Sequence, residues 1–299
     1  MTSADRDINA RERAARLSIW HGPVEPVRLS GGITNVNFVV EDAGARYVVR
    51  VGDDIVVHQI MRFNERAANE AAFAAKVSPE VIHSEPGVLV MRFVEGRTCS
   101  PADIRDPARL AKILPLIKRV HRELPRHLRG PALAFWVFHV IRDYAHTLTG
   151  SQSRYVSRLP DFVDVAAGLE LAVGPVDLVF GHNDLIAGNF IDDGSRIWLI
   201  DWDYAGFNSP LFDLSNLASN SEFNGEQEGW MLATYFGRAP DAALMLSYHA
   251  MKCASLLREA MWAMVSEIHS QLDFDYGAYA VDYMDRFARA YSAYEQAKS

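Results

Sequence analysis

Residues 180–213 read FGHNDLIAGNFIDDGSRIWLIDWDYAGFNSPLFD. Within HNDLIAGNF, Asp184 and Asn189 stand five residues apart; a Gly-containing turn follows, and the apolar run 197–200 delivers Asp201. This spacing predicts a loop, a short strand, a turn and a second strand ending in an acid. Kinase-type phosphoryl transfer uses that order: the first Asp accepts the proton of the attacking hydroxyl, while the Asn and second Asp hold magnesium.

The residue types suit the chemistry. Magnesium is a hard cation that keeps several waters and takes one or two carboxylates plus substrate phosphates, so one Asp and one Asn carbonyl suffice. Asp184 stays free of metal and points at the acceptor oxygen. General-base help is worth about 10² to 10⁴ in rate, and positioning with charge neutralisation supplies most of the rest. Each residue alone has a plain structural reading, as a helix cap, a turn residue or a strand end. Their ordered occurrence points to a kinase.

Composition narrows the alternatives. The chain has 299 residues, 49% of them hydrophobic, enough for a large core divided between two lobes. No apolar run approaches the roughly 18 residues of a membrane span, and MTSADRDINARERAARL has acids and arginines where a signal peptide is apolar, so a cytoplasmic protein without membrane insertion is expected. Cys99 and Cys253 are too few for a disulfide framework or a zinc site. A net charge of −8, from 30 basic and 38 acidic residues, argues against nucleic acid as partner but not against ATP. It also suits a cationic small substrate. Oligomeric state is not legible.

The first part of the chain reads as strands at 27–29, 37–41 and 46–51, separated by Gly31-Gly32 and Asp42-Ala43-Gly44. A helix over 64–76 and a strand over 88–93 follow, broken at Glu95-Gly96. From Pro101 onward helices dominate: 109–124, with a bend or boundary expected at Pro115, then 211–218 and 242–268.

Two elements of the strand-rich part complete a nucleotide site. In LSGGITNVNF, Gly31 and Gly32 let the chain approach phosphates and aim backbone N–H groups at them, with Thr34 and Asn35 alongside. In RYVVRV, Arg50 supplies a strand cation for the phosphates, with Glu70 on the next helix as its partner and Glu65 as a competitor. Met91 and Phe93 lie where the lobes join and adenine would rest.

These residues resemble the choline/ethanolamine kinases, relatives of the aminoglycoside phosphotransferases with a protein-kinase-like fold. The resemblance runs from Leu29 to Arg286 through GGITN (31–35), RYVVRV, HNDLIAGN (182–189), LIDWDYAGFN (199–208) and FDLSN (212–216). It implies Asp184 as base, Asn189 and Asp201 as magnesium ligands and Arg50 as phosphate contact; Arg rather than Lys on that strand favours the choline-kinase side. It further implies that Trp262 and Tyr279, seventeen residues apart, face an ammonium group. An aromatic face attracts a cation by about 0.5 to 2 kcal/mol.

The chain departs from the family in that pocket. Glu259 stands where eukaryotic choline kinases have a second Trp, Asn220 replaces an acid, and an aromatic near Gly225 is missing. Glu259 is open to two readings, a negative charge for a primary ammonium or a solvent-facing residue. Asp203 has an acidic counterpart near metal and substrate in the family. Asp213 braces the catalytic loop or caps the following helix, and His182 supports the loop. Tyr276 and Phe274 are further pocket candidates.

The expectation is therefore an α+β, protein-kinase-like two-lobe fold, with a strand-rich nucleotide lobe over 1–93 and a helical lobe over 94–299. Its function is ATP- and magnesium-dependent phosphorylation of a small amino alcohol, choline or ethanolamine. A kinase of thiamine or an aminoglycoside, and a silent nucleotide- or choline-binding protein of the same fold, are the alternatives.

Overall fold

The computed structural model describes residues 3–29, 35–270, 272 and 274–298. It opens with helix α1 (Ser3–Ala15), not foreseen from its polar sequence. Strands β1 (Val27–Arg28), β2 (Val36–Asp42), β3 (Ala45–Val51), β4 (Val81–Glu85) and β5 (Val88–Arg92) then form an antiparallel sheet in the order β1-β2-β3-β5-β4. Strand periodicity divides its faces. Phe38, Val40, Val49, Val51, Val88 and Val90 build one apolar core, closed by Ala10 and Ala14 of α1 and by Leu17. Arg50, paired in register with Leu89, takes the opposite face.

Helix α2 (Arg62–Ala74) follows β3 in the chain. Its small face, Ala68, Ala71 and Ala72, packs into a second and larger core shared with the helices below. Beyond β5 the chain passes Gly96, where a Cβ would lie 2.7 Å from Ile191 Cγ2 and 2.8 Å from the Asp192 carbonyl oxygen. Only glycine permits that approach, which lets β6 (Arg97–Thr98) pair with β8 (Phe190–Asp192); β8 in turn pairs with β9 (Ile197–Leu199). The predicted catalytic hairpin is thus stitched to the segment that leaves the large sheet.

Short helix α3 (Pro101–Arg105) precedes α4 (Pro107–Arg122), where Asp106 caps the first turn by accepting the Arg109 N–H at 2.9 Å. Of the bend or boundary expected at Pro115, the boundary does not occur: α4 runs on through the proline. An internal proline disfavours a helix by about 3 kcal/mol. Leu110, Ile113, Leu114, Leu116 and Ile117 are all buried along α4, and burying one such side chain returns about 1.5 to 3 kcal/mol, so packing outweighs the lost hydrogen bond.

Helices α5 (Leu124–His127), α6 (Val137–Gly150) and α7 (Leu159–Val173) lead to β7 (Val179–Gly181), which pairs with β10 (Gly206–Asn208) across the catalytic segment. The chain ends in α8 (Pro210–Asn220), α9 (Gly225–Phe236), α10 (Ala242–His269) and α11 (Tyr276–Lys298). α10 is buried along much of its length and packs on α6, α7, α8 and α11. Among the described residues no helix is long and apolar enough to cross a membrane. The sheet and the helical body together are the α+β, two-lobe, protein-kinase-like arrangement.

Candidate active site

The catalytic loop is held from below by Asp213, in the first turn of α8. Its carboxylate accepts the N–H of His182 at 2.9 Å, that of Asn183 at 2.7 Å, and a bond from His121 Nε2 at 2.9 Å. Burial opposes the Asp213 charge, but bonding to His121 and its charge win and hold the carboxyl below its usual range. Ser209, not Asp213, caps α8 by accepting the Leu211 N–H. Gly181 makes room for this brace: a Cβ there would fall 2.7 Å from Asn183 Oδ1.

His182 is fully buried against Trp202, at 4.7 Å between ring centres. Its Nε2 donates to the Ile200 carbonyl at 2.9 Å, and its Nδ1 accepts the Asp184 N–H at 3.3 Å. Both bonds suit a neutral imidazole, and burial holds its pKa below the usual value. Asn216 of FDLSN completes the support, accepting the Leu185 N–H at 2.6 Å.

On this platform Asp184 and Asn189 meet. Asn189 Nδ2 donates to the Asp184 carbonyl at 2.9 Å and lies 3.4 Å from Asp184 Oδ2. The bond fixes the amide nitrogen toward the loop and so turns the amide oxygen away from it. Burial pushes the Asp184 carboxyl up to about 8, with the negative charges of Glu259, Asp201 and Asp203 adding and Arg258 opposing. Asp201 sits at φ 69° and Asn183 at φ 64°. That left-handed region costs a non-glycine residue about 1 to 3 kcal/mol, and Asn and Asp tolerate it best.

Arg50 reaches across from β3, with Nη2 3.0 Å from Asp201 Oδ1 and 3.2 Å from Asp203 Oδ1. Burial opposes its charge, but Asp201, Glu65 and Asp203 keep it firmly cationic. Its helix partner is Glu65, at 3.0 Å, and the expected pairing with Glu70 is corrected: Glu70 is exposed and faces Arg66 at 3.9 Å. Arg62, missed in the sequence, joins the cluster at 2.6 Å from Glu65 and 2.8 Å from Asp203. Its position three residues before Glu65, on the same helix face, was the available signal.

Asp203 also accepts from Asn35 Nδ2 at 3.2 Å. It therefore stands with the arginines, beside Asp201, on which Arg50 also closes. Gly31, Gly32 and Thr34 lie outside the described residues. Met91 is buried within the sheet in register with Val48, and Phe93 carries the Arg46 guanidinium over its ring at 3.9 Å.

The residues expected at the acceptor end come together on α10 and α11. Trp262 and Tyr279 meet edge to face at 5.9 Å, and Tyr279 donates its hydroxyl to Glu259 at 2.9 Å. Tyr276 packs on Trp262 at 5.8 Å, and Phe274 on Tyr279 at 5.7 Å. Tyr283, one turn after Tyr279 and not anticipated, stacks on it at 4.6 Å and donates to Asn220 at 3.0 Å. Glu259 is mostly buried and paired with Arg258, so the solvent-facing reading fails.

The fold and this acid, amide and acid set define a phosphotransferase of protein-kinase-like architecture. Residues 25–261 match the phosphotransferase enzyme family, and the chain belongs to it. It is similar to the solved structure of a choline/ethanolamine kinase family protein from Mesorhizobium loti, with 30% identity, TM-score 0.74 and coverage of 95% of this chain and 93% of that one. Choline kinase LicA from Streptococcus pneumoniae shares the fold at TM-score 0.75, with 24% identity over 98% of this chain and 100% of that one. A probable ethanolamine kinase of Arabidopsis thaliana is 26% identical, spanning 84% of this chain and 75% of its own length.

Proposed function

We propose that the chain transfers the γ-phosphate of ATP to the hydroxyl of a small amino alcohol, with choline and ethanolamine as reference acceptors. The observation that carries this reading is the placement of Asp184, bonded to Asn189, under the charge of both Asp201 and the Glu259–Arg258 pair of the aromatic cluster. One base thus serves a phosphate side and an acceptor side.

Asp184 takes the hydroxyl proton as the acceptor oxygen attacks the γ-phosphorus in line and the bond to the leaving ADP oxygen breaks. Asn189 and Asp201 would hold magnesium, which supplies charge neutralisation at the phosphates; an amide oxygen and a carboxylate fit a hard cation. Arg50 contacts the phosphate oxygens, braced by Glu65 and Asp203, the two acids with which Arg62 also pairs. Asn35, which donates to Asp203, borders the phosphate side of the site. Adenine rests near Met91 and Phe93, with the lobe boundary after residue 93.

At the acceptor end, Trp262 and Tyr279 offer aromatic faces and Glu259 a carboxylate to the ammonium group. Asn220 acts through Tyr283. The test is ADP formation with magnesium and ATP in the presence of amino alcohols. Turnover that is acceptor-dependent and lost in Asp184→Asn supports the reading; undiminished turnover in a folded Asp184→Asn protein contradicts it.

A further inference from the structure

Arg258 is 2% exposed, on α10 one residue before Glu259 and one turn before Trp262. Its Nη1 bonds Glu259. Among the described residues, Nε and Nη2 have no hydrogen-bond partner. Those two nitrogens flank one edge of the guanidinium plane, the edge that grips a carboxylate with two parallel bonds. A buried cation with that edge unmet is rare unless something else fills it.

Its neighbours share the deficit. The guanidinium lies over the Tyr204 ring at 4.7 Å and the Phe135 ring at 5.1 Å, which fixes its plane. The Tyr204 hydroxyl and Trp262 Nε1 are likewise buried without partners. Arg258 and Glu259 both act electrostatically on Asp184, so the unmet donors belong to the surroundings of the base. Charge gives the same answer. Glu259 alone would favour a bare cation, but Arg258 cancels it, and a neutral or zwitterionic acceptor matches the pair better than an ammonium ion does.

We infer that the acceptor is a zwitterionic amino alcohol whose carboxylate sits on the Nε–Nη2 edge of Arg258 while its ammonium faces Glu259, Trp262 and Tyr279. This rests on the amino-alcohol reading and narrows it. Phosphate oxygens are the competing occupant of the edge, but Arg50 and Arg62 already serve the phosphate side, whereas Arg258 belongs to the helix face of Glu259 and Trp262.

The experiment compares matched acceptors that differ by one carboxylate: ethanolamine with L-serine, and choline with N,N,N-trimethyl-L-serine. ADP release is followed for the wild type, Arg258→Leu and Arg258→Lys. The wild type is expected to prefer the carboxylated member of a pair at least about tenfold in kcat/KM, and Arg258→Leu to lower that ratio about 10²-fold, mainly through KM. Arg258→Lys keeps the charge without the fork and restores part of the ratio. Preference for the plain member, or a ratio that Arg258→Leu leaves unmoved while all rates fall together, overturns the inference and leaves the kinase reading standing. Turnover of none of the four overturns the amino-alcohol reading itself. The wild-type comparison decides alone if Arg258→Leu does not fold.

Discussion

Arg50 of β3 meets Glu65 of α2 with Nη1 3.0 Å from Oε1, and both side chains are buried. Neutralising Glu65 leaves Arg50 with Asp201 and Asp203 but takes a buried charged acceptor from both Arg50 and Arg62, at about 1 to 3 kcal/mol. Glu65→Gln is therefore expected to lose about that much stability in urea unfolding and to raise the KM for ATP. Glu70→Gln, at an exposed pair, should shift stability by less than about 0.5 kcal/mol. Equal effects of the two substitutions would contradict the assignment.

The Asp184 carboxyl titrates near 8 because of burial, and Glu259 is the next contributor. A base works only when deprotonated, so kcat/KM should climb with pH through a limb centred near 8. Glu259→Gln removes a negative charge and should move that limb to lower pH. A limb that stays in place in this variant would show that the observed titration is not that of Asp184.

The same shift has a sign for stability. The unfolded carboxyl ionises near its ordinary 3.8 while the folded one keeps its proton to about 8. Wild-type stability therefore falls as pH rises between those values and then levels. Asn at this position has no proton to lose. Thermal unfolding of Asp184→Asn against wild type should show a Tm difference in favour of the variant that widens from pH 5 to pH 8.5; a gap independent of pH would contradict it.

Asp213 touches no reacting atom and acts through the loop, by accepting two backbone N–H groups and His121. Asp213→Ala should cost about 3 kcal/mol, as loss of a buried charged acceptor does. Turnover should drop well below wild type with the acceptor KM little changed, because the base is displaced while the α10–α11 cluster is not. A rise in KM with unchanged kcat would place Asp213 in binding instead.

The catalytic loop was legible because its parts lie within a single stretch of 34 residues, where loop, hairpin and acid follow from local spacing. The pairing of Arg50 was not, because it depends on the phase of α2. Glu65 and Glu70 are five residues apart, which at 3.6 residues per turn sets them on nearly opposite faces, and nothing in NERAANEAAFAAK states which face turns to β3. Arg62 and Arg258 escaped for a related reason: a lone arginine on a helix reads as solvated until its neighbours bury it. Pro115 misled in the other direction, since local propensity was overridden by the apolar residues on both sides of it. The pairing of Asp203 with Arg50 and Arg62 was not legible either, because both arginines come from distant parts of the chain.

The most direct measurement is ADP release with magnesium and ATP across choline, ethanolamine, their carboxylated counterparts, thiamine and an aminoglycoside, run beside Asp184→Asn. Selective turnover of an amino alcohol that falls by at least about 10² in the folded variant is the expected result. ATP bound without turnover of any acceptor, or equal turnover by Asp184→Asn, would contradict a kinase with Asp184 as its base.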